Sequence, residues 1–329
     1  MALLEVEDLS VTLKTAHGPQ EVISHISFSM EAGDSLGIVG ESGCGKSITA
    51  LALMSLLPSD AKIKGKIILG GQDILRLNSR QICRIRGDRI GMIFQEPMTA
   101  LNPVKQIGAQ VSESIFLHTR LAHKQAIERV CELMDKVGLP VERFPLNLYP
   151  HQLSGGQRQR VMIAMAIACN PDILVADEPT TALDVTVQEQ ILNLIRELTD
   201  ASGMGLIMIS HDLGVIAQTT QNVMVMYTGN MVEMGTTIDV FRNMLHPYTQ
   251  GLFAAIPQIS SIPQISSGKS ARKRLNYIPG QVPELHLRPI GCNFADRCSF
   301  ATRECREKEP LATRIDVLHD VWCYHPLNQ

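Results

Sequence analysis

Residues 40–47 run Gly40-Glu41-Ser42-Gly43-Cys44-Gly45-Lys46-Ser47, behind an apolar stretch, Leu36-Gly37-Ile38-Val39, and ahead of a helix-compatible run from Ile48 to Leu57. Strand, glycine-rich loop and helix in that order make a cradle for the phosphate chain of a nucleotide. The glycines let the backbone fold tightly enough for successive N–H groups to face phosphate oxygens, and the start of the next helix adds positive dipole. Lys46 is placed to reach the β- and γ-phosphates, and the Ser47 hydroxyl to hold Mg²⁺.

Four later segments narrow this reading. Ile173 to Ala176 is an apolar strand that ends in Asp177-Glu178. A carboxylate at the tip suits Mg²⁺, which falls to Asp177, and its neighbour Glu178 is positioned to act on an attacking water. Leu206 to Ser210 is a second buried strand with His211 at its end, beside the expected γ-phosphate. Gln95 follows a third, Ile90 to Phe94, and is a candidate sensor of the water or of Mg²⁺. The fourth segment is Leu153-Ser154-Gly155-Gly156-Gln157, before a helix-compatible run through Val161, Met162, Met165 and Ala166. Ser154 can cap that helix while Gly155 and Gly156 leave its N–H groups uncovered, which makes an anion site. Because residues 40–47 already cradle one nucleotide, the economical expectation is that this helix end binds the γ-phosphate of ATP held by a second subunit.

Taken together, the loop at 40–47, Gln95, Leu153 to Gln157, Asp177-Glu178, Ala182-Leu183-Asp184 and His211 resemble, in order and spacing from about residue 3 to residue 235, the ATP-binding-cassette ATPases. The resemblance implies a P-loop NTPase (RecA-like) α/β core with a small antiparallel β-lobe and an inserted α-helical subdomain, about 96–154. It also implies a nucleotide-contacting role for Asp184. The cassette is expected to span 1–245. His246-Pro247-Tyr248-Thr249-Gln250, with Leu252 and Ile256-Pro257, looks like the start of the C-terminal extension of dipeptide- and oligopeptide-importer ATPases. The expected partners are therefore a second ATPase subunit, two transmembrane permease subunits and an extracytoplasmic solute-binding protein. The expected place of work is the cytoplasmic face of the cell membrane, and the stretch Glu96 to Pro103 is the expected docking rim for the permease. Relatives usually stack adenine on an aromatic near the end of the first strand; here Leu13 stands at that position, leaving the base contact open.

Composition agrees. The chain has 329 residues and a net charge of −3, with aromatics at 4%, and its pI is near 6.4. Neither a basic surplus nor a set of base-stacking rings marks it as a nucleic-acid binder. The longest fully apolar run, Val161 to Cys169, is far short of a bilayer span. Residues 3–30 alternate as half-buried antiparallel strands do, and Gly65 to Leu69 reads as another strand of that lobe. Ile127, Val130, Leu133, Met134 and Val137 recur at helical spacing as a core stripe. Arg76, Arg80, Arg84, Arg86 and Arg89 read as a solvated helix face. The Pro- and Ser-rich segment about 256–283, with Ile-Pro-Gln-Ile-Ser twice, reads as a linker.

Cys292, Cys298, Cys305 and Cys323 make up half of the eight cysteines and lie in a loop-rich tail that calls for a staple. Disulfides are disfavoured in a cytosolic chain, and four thiolates suit an iron–sulfur cluster or Zn²⁺. The lack of paired C-x₂-C knuckles tilts toward the cluster, and the spacing resembles importer ATPases that carry [4Fe–4S]; Zn²⁺ and unmetallated thiols remain open. Cys83, Cys131 and Cys169 read as small core or surface residues. Cys44, inside the phosphate loop, is expected to have a pKa lowered by the surrounding N–H groups and to be open to alkylation. Competing readings are import of nickel or another small solute, a soluble non-transport ATPase of the same family, and a metal-binding regulatory module. The last leaves the nucleotide site idle.

Overall fold

The computed structural model describes residues 2–181, 183–255, 277–316 and 318–328. The expected linker falls mostly on 256–276, outside the described residues, as does Ala182.

A four-stranded antiparallel sheet carries β1 (Leu4–Thr15), β2 (Gly18–Met30), β4 (Lys62–Leu69) and β5 (Gln72–Asp73) in the order β2-β1-β4-β5. Strict alternation along β1 breaks after Val6, because Leu9 and Val11 are the next buried apolar positions. A register shift between Val6 and Leu9, with Asp8 at φ +50°, supplies the extra residue that returns the apolar set to the core.

The second sheet runs β11-β12-β10-β9-β3-β8-β7-β6. Its strands are β3 (Ser35–Val39), β6 (Ile90–Ile93), β7 (Ile173–Asp177), β8 (Gly205–Ile209), β9 (Asn222–Tyr227), β10 (Asn230–Thr236), β11 (Thr313–Asp316) and β12 (His319–Val321). Pairing is parallel from β9 through β3, β8 and β7 to β6. The parallel strands read as unbroken apolar runs because both faces are covered. Ile173, Val175, Ile207 and Ile209 join the core shared with the antiparallel lobe. Leu174, Ala176, Leu206 and Met208 join the core on the opposite, helical face. The carboxyl ends of β3, β7 and β8 thus converge on one rim, where an open α/β sheet binds its ligands.

Helices α1 (Lys46–Leu53), α2 (Ser79–Ile85), α3 (Pro97–Ala100), α4 (Ile107–His118), α5 (His123–Lys136), α6 (Gly155–Ala166), α7 (Val185–Ser202), α8 (Leu213–Thr219), α9 (Thr237–Asn243), α10 (Pro247–Ala254) and α11 (Arg303–Glu307) complete the described elements. In α4, Ile107, Val111 and Ile115 are buried; in α5, Ala126, Val130, Leu133 and Met134 are, with Val137 just beyond. These residues share one core with the sheet rather than enclosing their own.

Two expectations are corrected. The arginine series is not one solvated face, since α2 ends at Ile85. Arg86 lies past that end and caps the exit of α1, donating to Met54 O (2.8 Å) and to Ser55 O. Arg89 pairs with Asp172 at 2.7 Å. The tail, too, is more than stapled loop. Its strand β12 pairs with β10 and extends the central sheet, and Phe294 and Val321 are buried. A fully buried carboxylate, Glu233, accepts from Leu245 N, His246 N and His319 Nε2 at 2.8–2.9 Å, which ties the extension's first and last segments to β10.

Candidate active site

The loop between β3 and α1 closes only with glycine at two points. A Cβ on Gly40 would lie 2.2 Å from Met226 O, and Gly45, which caps α1, has φ +104°. Lys46 is 5% exposed. Its ammonium donates to Gly40 O at 2.8 Å and Glu41 O at 3.2 Å, so it is folded back over the loop it belongs to.

Opposite stands the end of β7. Ser47 Oγ donates to Asp177 Oδ1 at 3.1 Å. Burial raises the Asp177 pKa, with the Ser47 hydrogen bond opposing it, so a cation at this carboxylate would relieve a desolvation cost. Glu178 is a non-glycine residue at φ +45°, a conformation costing about 1–3 kcal/mol that surrounding bonds must hold. Its N–H donates to Ile209 O (2.9 Å) and its carbonyl accepts from Thr181 N (3.2 Å). Three side chains grip its carboxylate. Gln95 Nε2 and Thr181 Oγ1 each donate to Oε2 at 3.1 Å, and His211 Nδ1 lies 3.2 Å from Oε1. The Glu178 side chain is 15% exposed against 67% for His211, so the carboxylate is the sheltered member.

These contacts bring together Lys46, Ser47, Gln95, Asp177, Glu178 and His211. Ser154 to Gln157 stand apart at the start of α6. Ser154 Oγ accepts from Gln157 N (3.3 Å) and Gln157 Oε1 accepts from Ser154 N (2.8 Å), a reciprocal capping box. Among the described residues the N–H groups of Gly155 and Gly156 have no recorded acceptor. Asp184 caps α7, accepting from Val187 N at 3.0 Å, and a Cβ on Gly156 would sit 2.7 Å from Val187 Cγ1.

Cys44 departs from expectation. It is 1% exposed, and burial raises its pKa with only partial relief from Lys46. The loop's N–H groups do not offset that desolvation, and the thiol faces the Gly40 backbone rather than solvent. The four tail cysteines line one small cavity with Phe294, Phe300, Pro310 and Tyr324. All four are free thiols. Burial pushes Cys292 up to about 12 and Cys323 to about 11. Phe300 N donates to Cys298 Sγ and His325 N to Cys323 Sγ, both at 3.4 Å, and Thr302 Oγ1 lies 3.4 Å from Cys305 Sγ. Cys298, Cys305 and Cys323 thus each have a hydrogen-bonding neighbour at sulfur, while burial favours the neutral thiols of Cys298 and Cys323.

Several contacts were not legible in the sequence. Thr181, three residues past Glu178, belongs to no motif noted above. Glu41 N donates to Tyr248 Oη at 2.8 Å, and the Glu41 side chain pairs with Arg297; nothing local signals either partner. Leu13 packs into the lobe's core. The cleft past Ser42 and Gly43 is walled instead by His17, Thr228 and the tail segment 282–286. Within it, His17, Glu284 and His286 bring ligand-type atoms within 4.8 Å of one another. The two imidazoles stack at 4.1 Å and 17°, so their in-plane lone pairs run side by side rather than converge.

The pattern of the ABC transporter family matches residues 23–181, and that of the oligopeptide/dipeptide transporter C-terminal region matches residues 232–305. The chain is 45% identical over 324 residues to a probable peptide ABC transporter ATP-binding protein of Sinorhizobium fredii, covering 98% of this chain and 94% of that protein. Against the dipeptide transport ATP-binding protein DppD of Haemophilus influenzae it is 44% identical over 330 residues, covering 100% and 97%. A solved dimeric ATP-binding cassette in a post-hydrolysis state, bound to ADP and Pi, matches with TM-score 0.64 at 27% identity, covering 71% of this chain and 98% of that one.

Proposed function

The chain belongs to the ATP-binding-cassette ATPases and, within them, to the group with the oligopeptide/dipeptide transporter C-terminal region, and from that premise we propose how its residues divide the work. It is an ATP-hydrolysing subunit that energises a membrane importer of peptides, and it binds ATP and Mg²⁺ as its family does. No helix among the described residues is long and apolar enough to cross a membrane. The subunit works against permease partners at the cytoplasmic face, a reading supported by its peptide-importer relatives. Solute choice belongs to those partners and to an extracytoplasmic binding protein.

Residues 40–47 hold the phosphates, with Lys46 released from its loop carbonyls to the β- and γ-oxygens. Ser47 and Asp177 would hold Mg²⁺, whose charge neutralises the phosphates. Glu178 takes the proton of the attacking water, Gln95 and Thr181 fix its carboxylate, and His211 bridges it to the γ-phosphate. A second ATPase subunit, a related chain or another copy, lends its own Ser154–Gln157, whose open helix end binds the γ-phosphate across the seam, with Asp184 lining that seam. ATP then bonds both subunits where ADP cannot, and the loss of those contacts on hydrolysis frees the pair to open. Phe94, Met98 and Val104, exposed around α3, form the rim that meets the permease.

Cys292, Cys298, Cys305 and Cys323 would hold a [4Fe–4S] cluster, which would fasten the extension as a compact staple. The convergence of the four free thiols on one cavity supports this. Among the described residues no three of these sulfurs lie within 4.8 Å of one another, whereas a tetrahedral zinc site with 2.3 Å bonds needs sulfurs about 3.8 Å apart.

The observation that carries the hydrolytic reading is the three-sided grip on Glu178 beside the Ser47–Asp177 pair. The shared site that this reading places between two subunits is tested by a disulfide between Ser154→Cys and Ser42→Cys on facing subunits. Formation with ATP but not ADP is expected; equal yield in both states would remove the shared site.

A further inference from the structure

A carboxylate inside a phosphate loop is an electrostatic liability, because the loop that bears it must take up a triphosphate. Glu41 is such a carboxylate, and the structure shows how it is managed. Arg297, between Cys292 and Cys298, reaches back across the molecule and grips it with both guanidinium arms. Nη1 donates to Oε2 at 2.6 Å and Nη2 to Oε1 at 3.0 Å. The pair is sheltered, with the Arg297 side chain 5% exposed and that of Glu41 28%. The rest of the guanidinium is also engaged: Nε donates to Pro279 O at 2.9 Å and Nη1 to Tyr227 Oη at 3.3 Å. Phe294 and Tyr227 pack beside it, 5.9 and 5.7 Å from the guanidinium carbon to the ring centres.

The grip reaches the nucleotide-binding residues through the backbone. Glu41 N is fixed by Tyr248 Oη of the extension's first helix, and Glu41 O accepts from the Lys46 ammonium. One residue of the loop is therefore held at its side chain and its N–H by the C-terminal extension, and touches the phosphate-seeking lysine with its carbonyl. A bidentate, desolvated arginine–carboxylate pair fixes direction as well as charge.

We propose that Arg297 is a positioning residue for ATP binding: it neutralises Glu41 and turns its carboxylate away from the phosphates, making the extension a working wall of the nucleotide site. The inference rests on reading residues 40–47 as the ATP loop. Losing Arg297 leaves an unpaired carboxylate beside the phosphate site, so removing that carboxylate as well should undo the damage. A residue that merely props up the fold gives no such rescue.

The test is ATP affinity of the full-length chain by calorimetry, with melting temperature and metal content measured on the same samples. Arg297→Met is expected to weaken ATP binding about tenfold or more, and the double variant with Glu41→Gln to return to the value that Glu41→Gln shows by itself. Arg297→Lys, which keeps the charge but not the fork, should fall between. If Arg297→Met does not fold, Arg297→Gln replaces it in the same cycle. Unchanged affinity in a folded Arg297 variant overturns the proposal, as does a weakened variant that Glu41→Gln fails to rescue. Lys46→Ala separates the two levels. If it loses ATP while Arg297→Met does not, only the Arg297 role fails; if it binds ATP normally, the reading of the loop fails and the role falls with it.

Discussion

In the phosphate loop, the bonds of the lysine and of the helix start join near neighbours: Lys46 bonds to carbonyls five and six residues back, and Thr49 Oγ1 to one four back. In the C-terminal extension they span the chain. His319 meets Glu233 across 86 residues, Arg297 meets Glu41 across 256, and Arg288 Nη1 donates to Glu21 O across 267. Those local bonds need only the loop's own strand and helix, while Glu41 is the point at which the loop depends on the extension. An extension built from distant bonds has its geometry only once the cassette has folded beneath it. The loop should therefore fail by chemistry, and the extension by docking.

The largest effect expected from splitting the two is at the loop. Lys46→Ala removes the only ammonium over the phosphate site among the described residues. It should weaken ATP binding about a hundredfold, or roughly 3 kcal/mol, with little change in melting temperature; equal losses of affinity and stability would erase the contrast. Next comes the extension. Cys298→Ser and Cys323→Ser should each strip bound iron and sulfide and lower the melting temperature by about 5 °C or more. Zinc in place of iron, at four thiolates per ion, would transfer the staple to a different metal.

How far each region was readable follows the same division. The loop, Gln95, Asp177-Glu178 and His211 carry their chemistry in residue type and position after a strand, and the structure gathers them around one rim. Arg86 and Arg89 misled because their spacing resembles a helix face, while α2 stops at Ile85 and hands them to other elements. Cys44 misled because burial outweighs the N–H field that its place in the loop suggests. Arg297 carried no signal at all: an arginine among cysteines looks like surface until the chain returns to the sheet's carboxyl end.

Smaller effects sharpen the picture at the edges. Met98→Glu and Val104→Glu, on the exposed rim, should leave ATP hydrolysis by the isolated subunit unchanged and lower peptide-stimulated turnover of the assembled transporter several-fold, on the order of 1 kcal/mol. Equal turnover in both settings would move the docking rim elsewhere. Least of all, a maleimide at neutral pH should label exposed Cys83 well before Cys44 and leave ATP binding intact. Early labelling of Cys44 with loss of ATP would mean that the loop opens more readily than its burial implies.

The proposed mechanism concentrates the hydrolytic chemistry at Glu178, and Glu178→Gln keeps its shape while removing the proposed base. Measured in the reconstituted transporter, ATP affinity should stay within about threefold of the unsubstituted protein while turnover falls ~10²–10⁴-fold. Turnover near the original rate would place the proton acceptor on another residue and undo the assignment of the site.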